Sequence, residues 1–344
     1  MHTENIRGRV AIVVGVGIEA GIKIFASSHK IRYFWLVKKI LMVILGIGLG
    51  SLFIISAYFK LQPVEPFEYK IVGTTWFGWQ SSVFVARIIV ALEFSLGVLL
   101  LFSYKLKTTL KLSVGLLALF SLHLIYVLWA MGNIADCGCM GSLMTFTPLQ
   151  GLAKNVFMIL ACLLMYKVGA DRQARISFIP LYVFLIALIT VMIVEPVDLH
   201  YAKTYLDKPF ETFELNLDTI YNAPASETVQ RPQQDIRDKK VLLAFMSATC
   251  PHCRIAAQKL GVISRKNPDI PIYMFINGDK AEISAFLEQT ETSHIPSSHL
   301  GKGLFVPLAG LNLPVLYYYN KGTIDKRVTY LTLEQQHLED WLKH

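Results

Sequence analysis

Cys250, Pro251, His252 and Cys253 place two thiols at a spacing that can close a small disulfide ring. The pair follows an apolar strand candidate, Val241 to Met246, and opens a helical pattern. At a helix start, the backbone N–H groups and the positive dipole end favour a thiolate at Cys250, and His252 can add positive charge beside it. A stabilised thiolate makes the reduced form more stable, so the disulfide is the stronger oxidant. The chemistry these residues suit is thiol–disulfide exchange. Half a zinc site or a structural disulfide would use the same spacing, but the helix-start position and the lack of a second C-x-x-C favour a redox dithiol.

A second pair lies far upstream in Asp136-Cys137-Gly138-Cys139-Met140-Gly141. Gly138 lets the backbone bend until two sulfurs one residue apart can meet, which gives a strained and therefore labile bridge. The alternative is a soft-metal site, with Cu(I) held by Cys137 and Cys139 and assisted by Met140. A second dithiol in the same compartment favours redox use, because the two pairs are natural exchange partners.

The elements that must position these pairs divide the chain into two unlike parts. Of its 344 residues 53% are hydrophobic and 17% charged, too apolar for an ordinary soluble protein. The apolar character is concentrated before Glu195. Spans of about 20 residues, the length that crosses a bilayer, are predicted at 40–60, 82–103, 112–131 and 151–168, with a fifth at 177–194 ending on Glu195-Pro196. The net charge of +8 does not mark a nucleic-acid surface, because the basic residues sit between apolar runs. Lys38 and Lys39 precede the first span, Lys105, Lys107 and Lys111 join the second to the third, and Lys167, Arg172 and Arg175 join the fourth to the fifth. The loop from Gln62 to Ser81 holds only Lys70 against Glu65 and Glu68, and that from Gly132 to Gln150 holds neither Lys nor Arg. The positive-inside rule then puts the N-terminus in the cytoplasm, and both cysteine pairs in one outer, disulfide-permissive compartment. Residues 1–39 read as a basic cytoplasmic lead-in, with an interfacial helix as one form of it; a signal-peptide cleavage site there is poor.

Within the spans, Glu93 and His123 are expected near the midplane, where ionisable groups are costly and often belong to proton pathways. Tyr126 and Trp129 follow His123 at helical spacing towards the Cys137 loop. Glu93, His123 and Tyr126 are therefore the candidates for proton transfer beside a quinone; the plainer alternative is a hydrogen-bonded pair that fixes helix packing. Lys60 and Arg87 are expected to snorkel to the outer face, and Cys162 to be a small core residue. No tightly bound cofactor is evident.

The C-terminal part reads as an early strand at Phe210 to Leu217, a polar stretch to Lys240, strand 241–246, the dithiol helix, strand Ile272 to Ile276 and a helix from Lys280 to Glu291. A long loop from Ser293 to Gly310 follows, carrying His294 and His299 as spacer or partner surface. Then come Pro314, a hairpin of Leu316 to Tyr319 and Thr323 to Val328 turning at Asn320-Lys321-Gly322, and a helix from Leu333 to Lys343. With Cys250-Pro251-His252-Cys253 and Pro314 before the hairpin, roughly residues 200–344 resemble the thioredoxin superfamily, with its β-α-β-α-β-β-α plan. The resemblance implies a cis-proline at Pro314 packed against the dithiol. Thr249 stands where many thioredoxins carry Trp, and Pro-His between the cysteines is closer to the disulfide-oxidant branch.

The membrane part resembles a second family, the DoxX-like proteins and within them the MauE branch. The matching residues are Gly50 with Phe53 to Lys60, Ala91-Leu92-Glu93 with Gly97, and Cys137-Gly138-Cys139-Met140-Gly141, where Met140 replaces a more usual Phe. The resemblance implies a four-helix membrane bundle associated with periplasmic thiol redox chemistry. The expected organisation is a lead-in at 1–39, the bundle at 40–168, a fifth transmembrane helix and connection at 169–196, and an extracytoplasmic thioredoxin-like domain at 197–344, all in a bacterial inner membrane. The expected function is a membrane thiol–disulfide oxidoreductase. Cys250 exchanges with periplasmic client proteins, Cys253 resolves the mixed disulfide, and Cys137 and Cys139 relay electrons towards a membrane quinone pool. Reverse flow that reduces client disulfides, copper handling, and a binding-only scaffold are the rival readings. No phosphate loop, hydrolase triad or nucleic-acid patch stands out.

Overall fold

The structure is a computed structural model, and it describes residues 36–133, 146–169, 178–197, 212–224 and 229–344. Among the described residues, four helices are long and apolar enough to cross a membrane: α1 (Leu36–Leu61), α3 (Trp79–Leu101), α4 (Leu106–Met131) and α5 (Pro148–Val168). They share a core of Leu49, Phe53, Leu96, Leu100, Leu110, Leu117, Met158, Cys162 and Met165. Many of their other large apolar side chains, such as Ile44, Leu122 and Phe157, point outwards. That inversion suits a hydrocarbon surround, where outward apolar surface carries no penalty.

Small residues set the closest approach. A Cβ on Gly50 would lie 2.8 Å from the Gly97 carbonyl oxygen, and one on Gly97 would lie 2.8 Å from that of Gly50. Only glycine lets the α1 and α3 backbones touch there. Gly46 lies against Leu100 and Met165, and Gly169 against Leu106 and Met42, so α1 runs antiparallel to both α3 and α5. A capping box at Thr147 and Gln150, with Pro148 in the first turn, starts α5. Asn133 Oδ1 accepts from Leu149 N–H at 3.1 Å and ties the end of α4 to that start.

The stretch from Gln62 to Ser81, expected as a loop, contains a helix, α2 (Glu65–Thr74), with Pro66 in its first turn. It lies across the bundle end where α1 stops and α3 begins. The fifth apolar segment is α6 (Ile179–Val194), whose 16 residues span about 24 Å, less than a typical ~30 Å hydrocarbon core. Its Ala187 and Val191 pack with Ala57 of α1 and Val90 and Ala91 of α3. Its C-terminal end reaches the same end of the bundle as α2.

The C-terminal part is a six-stranded mixed sheet in the order β1-β6-β5-β2-β3-β4. Its strands are β1 (Phe213–Glu214), β2 (Lys240–Ser247), β3 (Ile272–Asn277), β4 (Ser297–His299), β5 (Val315–Asn320) and β6 (Thr323–Val328). β2, β3 and β4 are parallel neighbours, while β5 and β6 form an antiparallel hairpin on the other side of β2. The unbroken apolar run of β2 reflects burial on both faces. Leu242, Ala244 and Met246 face α8 (Pro251–Lys266), α9 (Lys280–Gln289) and α11 (Gln335–Lys343). Val241, Leu243 and Phe245 face α7 (Asp218–Asn222) and α10 (Lys302–Ala309).

The C-terminal part departs from expectation at two further points. The early strand is only two residues long, and the supposed loop from Ser293 to Gly310 holds β4 and α10. Ser298 and His299 are buried in β4 beside β3, and Phe305 and Ala309 of α10 fill the second core. His294 stays exposed. Residues this polar read as loop from sequence, but parallel pairing buries them.

Candidate functional site

Cys250 is the N-cap of α8, in extended conformation, and its Sγ accepts a hydrogen bond from Cys253 N–H at 3.3 Å. Both thiols are free. Cys250 is partly open to solvent, whereas Cys253 is fully buried among Ala256, Ala257 and the β2 side chains, with Ser247 N–H donating to its Sγ at 3.4 Å. Burial pushes the Cys253 thiol far above the ordinary thiol range. The pair is therefore asymmetric, with one sulfur presented and one withheld in neutral form. The Leu313–Pro314 peptide is cis, and Leu313 packs on the same core cluster as Cys250 and Cys253.

His252 is exposed and turns towards Tyr330. Its Nδ1 lies 3.3 Å from the Tyr330 hydroxyl, and the two rings are near parallel, 6.2 Å apart. Its hydrogen bond goes to that hydroxyl and not to a cysteine sulfur. Cys137 and Cys139 lie outside the described residues. The described residues on either side of them, Asn133 at the end of α4 and Leu149 at the start of α5, are bonded at the bundle end occupied by α2.

The intramembrane residues are arranged differently from expectation. Glu93 pairs with Lys60 and not with His123: Lys60 Nζ donates to both Glu93 oxygens, at 2.7 and 2.8 Å, and to Ser56 Oγ at 2.9 Å. Both side chains are almost fully buried. The ammonium also lies 5.7 Å from the Phe67 ring and 5.2 Å from the Phe120 ring. Lys60 thus folds into the bundle instead of snorkelling, because a carboxylate and two aromatic faces are nearer than water. Arg87 is buried as well. It pairs with Glu68 of α2, and its Nε and Nη2 donate to the Glu195 and Pro196 carbonyls at 2.9 and 3.1 Å.

His123 is half-buried, and Tyr126 and Trp129 point out of the bundle, Trp129 at 84% exposure. Glu93 thus faces the bundle core on Lys60, whereas Tyr126 and Trp129 face outwards. Cys162 is a core residue as expected.

Sequence reasoning missed the seam between the two parts. α8 carries two stripes: Cys253, Ala256, Ala257, Leu260 and Ile263 face the sheet, while Ile255 and Val262 pack against Tyr69 and Val72 of α2. Lys259 sits on the second stripe, buried beneath Tyr69 and Trp79. The signal was a lysine between Ile255 and Val262 on an otherwise apolar face, together with Pro66, Tyr69 and Val72 at helical spacing.

Four membrane-type helices, joined to a mixed sheet with a dithiol at a helix start and a cis-proline before a hairpin, define a multi-pass membrane protein with a thioredoxin-like domain. Comparison with known proteins shows what each part is similar to. Residues 38–167 match the family described as methylamine utilisation protein MauE. The chain is 25% identical over 289 residues to Protein TlpB of Flavobacterium psychrophilum, covering 70% of this chain and 78% of the relative. A solved secreted Mycobacterium tuberculosis disulfide oxidoreductase, described as homologous to E. coli DsbE, aligns at 18% identity with a TM-score of 0.26, over 31% of this chain and 81% of its own. The membrane part of the chain is thus similar to MauE, and the chain is similar to TlpB over most of its length.

Proposed function

We propose that the chain is a membrane thiol–disulfide oxidoreductase whose outer domain exchanges disulfides with the Cys137/Cys139 pair of its own membrane part. The observation that carries this reading is the asymmetry of the dithiol, an accessible Cys250 above a buried, proton-retaining Cys253. In the oxidising direction, a client thiolate attacks the Cys250 sulfur of the Cys250–Cys253 disulfide and forms a mixed disulfide, and Cys253 leaves as a thiol after taking a proton. A second client thiolate attacks the client sulfur, a client disulfide forms, and Cys250 is released. Two electrons and two protons now reside on the Cys250/Cys253 dithiol.

Cys250 then attacks the Cys137–Cys139 disulfide, and Cys253 attacks the Cys250 sulfur of the new mixed disulfide. The outer disulfide is regenerated and the membrane pair becomes a dithiol. The final acceptor is proposed by chemical class alone, a lipid-soluble two-electron oxidant such as a quinone. The proposed setting is the bacterial inner membrane, with the N-terminus in the cytoplasm and the dithiol domain outside. The clients are extracytoplasmic proteins bearing thiols or disulfides.

Thiol trapping in native membranes tests the relay. If Cys250 and Cys253 accumulate as thiols in Cys139→Ser, the membrane pair oxidises the outer domain. If they become more oxidised, electrons run outwards and the protein is a reductase. An unchanged redox state refutes the relay.

A further inference from the structure

Lys259 occupies an unusual position. It is 8% exposed, and among the described residues no carboxylate lies within ion-pair distance of it. Its ammonium sits 5.8 Å from the Tyr69 ring centroid and 5.5 Å from that of Trp79, and it donates to the Tyr330 carbonyl at 2.5 Å. Tyr69 and Trp79 meet edge to face at 5.9 Å, so α2 and the first residue of α3 supply a two-walled aromatic seat and the dithiol helix supplies the cation.

The surrounding contacts converge on the same seam. Ile255 and Val262 pack on Tyr69 and Val72. Lys70 pairs with Glu291, which also holds Arg265 at 3.3 Å, and Trp79 Nε1 donates to Gln335 at 3.0 Å. Behind the seat, Arg87 ties Glu68 of α2 to the carbonyls that end α6. The platform is thus braced to the helix from which the dithiol domain is suspended. Cys250 remains partly open in this arrangement.

We propose that the Tyr69/Trp79 seat is a docking receptor for the chain's own dithiol domain, and that Lys259 is a positioning residue for exchange between Cys250 and the Cys137/Cys139 pair; the positioning role rests on the relay reading above. An aliphatic side chain would make this seam a permanent core. A lysine held by ring faces and one carbonyl regains full hydration on leaving, so the joint opens at modest cost and the undocked surface stays soluble. Docking holds the dithiol at the bundle end where the Cys137/Cys139 segment begins and ends, which raises the effective concentration of one pair at the other above that of a free tether.

Two measurements on the full chain in native membranes test this. Carbodiimide should join Lys70 to Glu291 as an isopeptide, detected by mass spectrometry, and Tyr69→Ala/Trp79→Ala should lower that yield at least fivefold. A yield that the variant does not move overturns the docking. In the same variant, re-equilibration of the two cysteine pairs after a reducing pulse should slow about tenfold or more, the scale of a lost local-concentration advantage. The rate at which Cys250 reacts with added oxidised glutathione should stay within about twofold, because both substituted residues lie outside the dithiol domain. A lost cross-link with unchanged pair exchange overturns the positioning role. A Cys139→Ser protein whose outer dithiol does not respond overturns the relay and the positioning role together, while the cross-link still decides the docking.

Discussion

Glu93→Gln should strongly destabilise the membrane bundle, and a second substitution should recover the loss. In the native chain the Lys60 ammonium is held by both Glu93 oxygens, at 2.7 and 2.8 Å, and by Ser56. At 3% exposure it has no route to water without leaving the core. Removing the carboxylate charge strands the ammonium among Phe67, Phe120 and apolar helix faces. The cost of an uncompensated buried charge is about 3 kcal/mol or more. Lys60→Met should cost a similar amount by stranding Glu93. Replacing both, as Lys60→Met/Glu93→Leu, removes two desolvated charges together and should return the bundle to within about 1 kcal/mol of wild type. For a unit of this size, the single variants should lower the melting temperature by roughly 6–12 °C. Intrinsic-fluorescence melting in detergent, run as a complete double-mutant cycle, measures the coupling directly. Single variants that cost under about 1 kcal/mol, or a double variant no better than the worse single, would refute the buried-pair argument.

Three further outcomes are expected. Cys250 should alkylate at least about 100-fold faster than Cys253 in the reduced native protein, as read by iodoacetamide mass mapping, because only Cys250 is open and Cys253 retains its proton. The two buried titrating groups should push stability in opposite directions at alkaline pH. Cys253 has a raised native pKa, so the native state keeps a proton that the unfolded chain loses above about pH 8.5, and stability falls as pH rises from there. Lys259 is lowered by burial from 10.5 to about 8, so between those values the unfolded chain holds more protons and stability rises with pH; Glu68, Glu334 and Glu65 partly oppose that lowering. Melting curves from pH 7 to 10 should therefore steepen their decline in Lys259→Met and flatten it in Cys253→Ala. In α1, Gly50→Ala must displace the Gly97 carbonyl 2.8 Å away and should cost about 1–3 kcal/mol, whereas Gly48→Ala, with nothing within 4 Å, should be neutral or stabilising by the same melting assay.

Much of the architecture was legible because it rests on one-dimensional signals. The apolar runs gave the bundle, and the doubly buried β2 run followed by Cys250 gave the strand and helix that carry the dithiol. What escaped depends on contacts distant in sequence. Lys60 and Glu93 are 33 residues apart, and only helix packing makes them partners. α2 hid inside a presumed loop because Pro63 and Pro66 punctuate its start, and because its apolar face is short and completed by the dithiol domain. Tyr126 seemed to lead inwards from helical spacing alone, but in lipid an aromatic outer face is as acceptable as an inner one, so periodicity loses its direction. β4 is three residues long and owes its strand character to its neighbour β3.

The shortness of α6 has a mechanical consequence. A helix of about 24 Å is shorter than its neighbours, yet its C-terminal end lies at the bundle end that α2 occupies, on the same Arg87 that holds Glu68. Arg87 supplies donors to the last carbonyls, so the exit of the chain from α6 is fastened to α2 at one fixed point. The 14 residues 198–211 can reach no further than about 50 Å from that point. The working radius of the dithiol is therefore measured from Arg87, a residue of the bundle, and not from the dithiol domain itself.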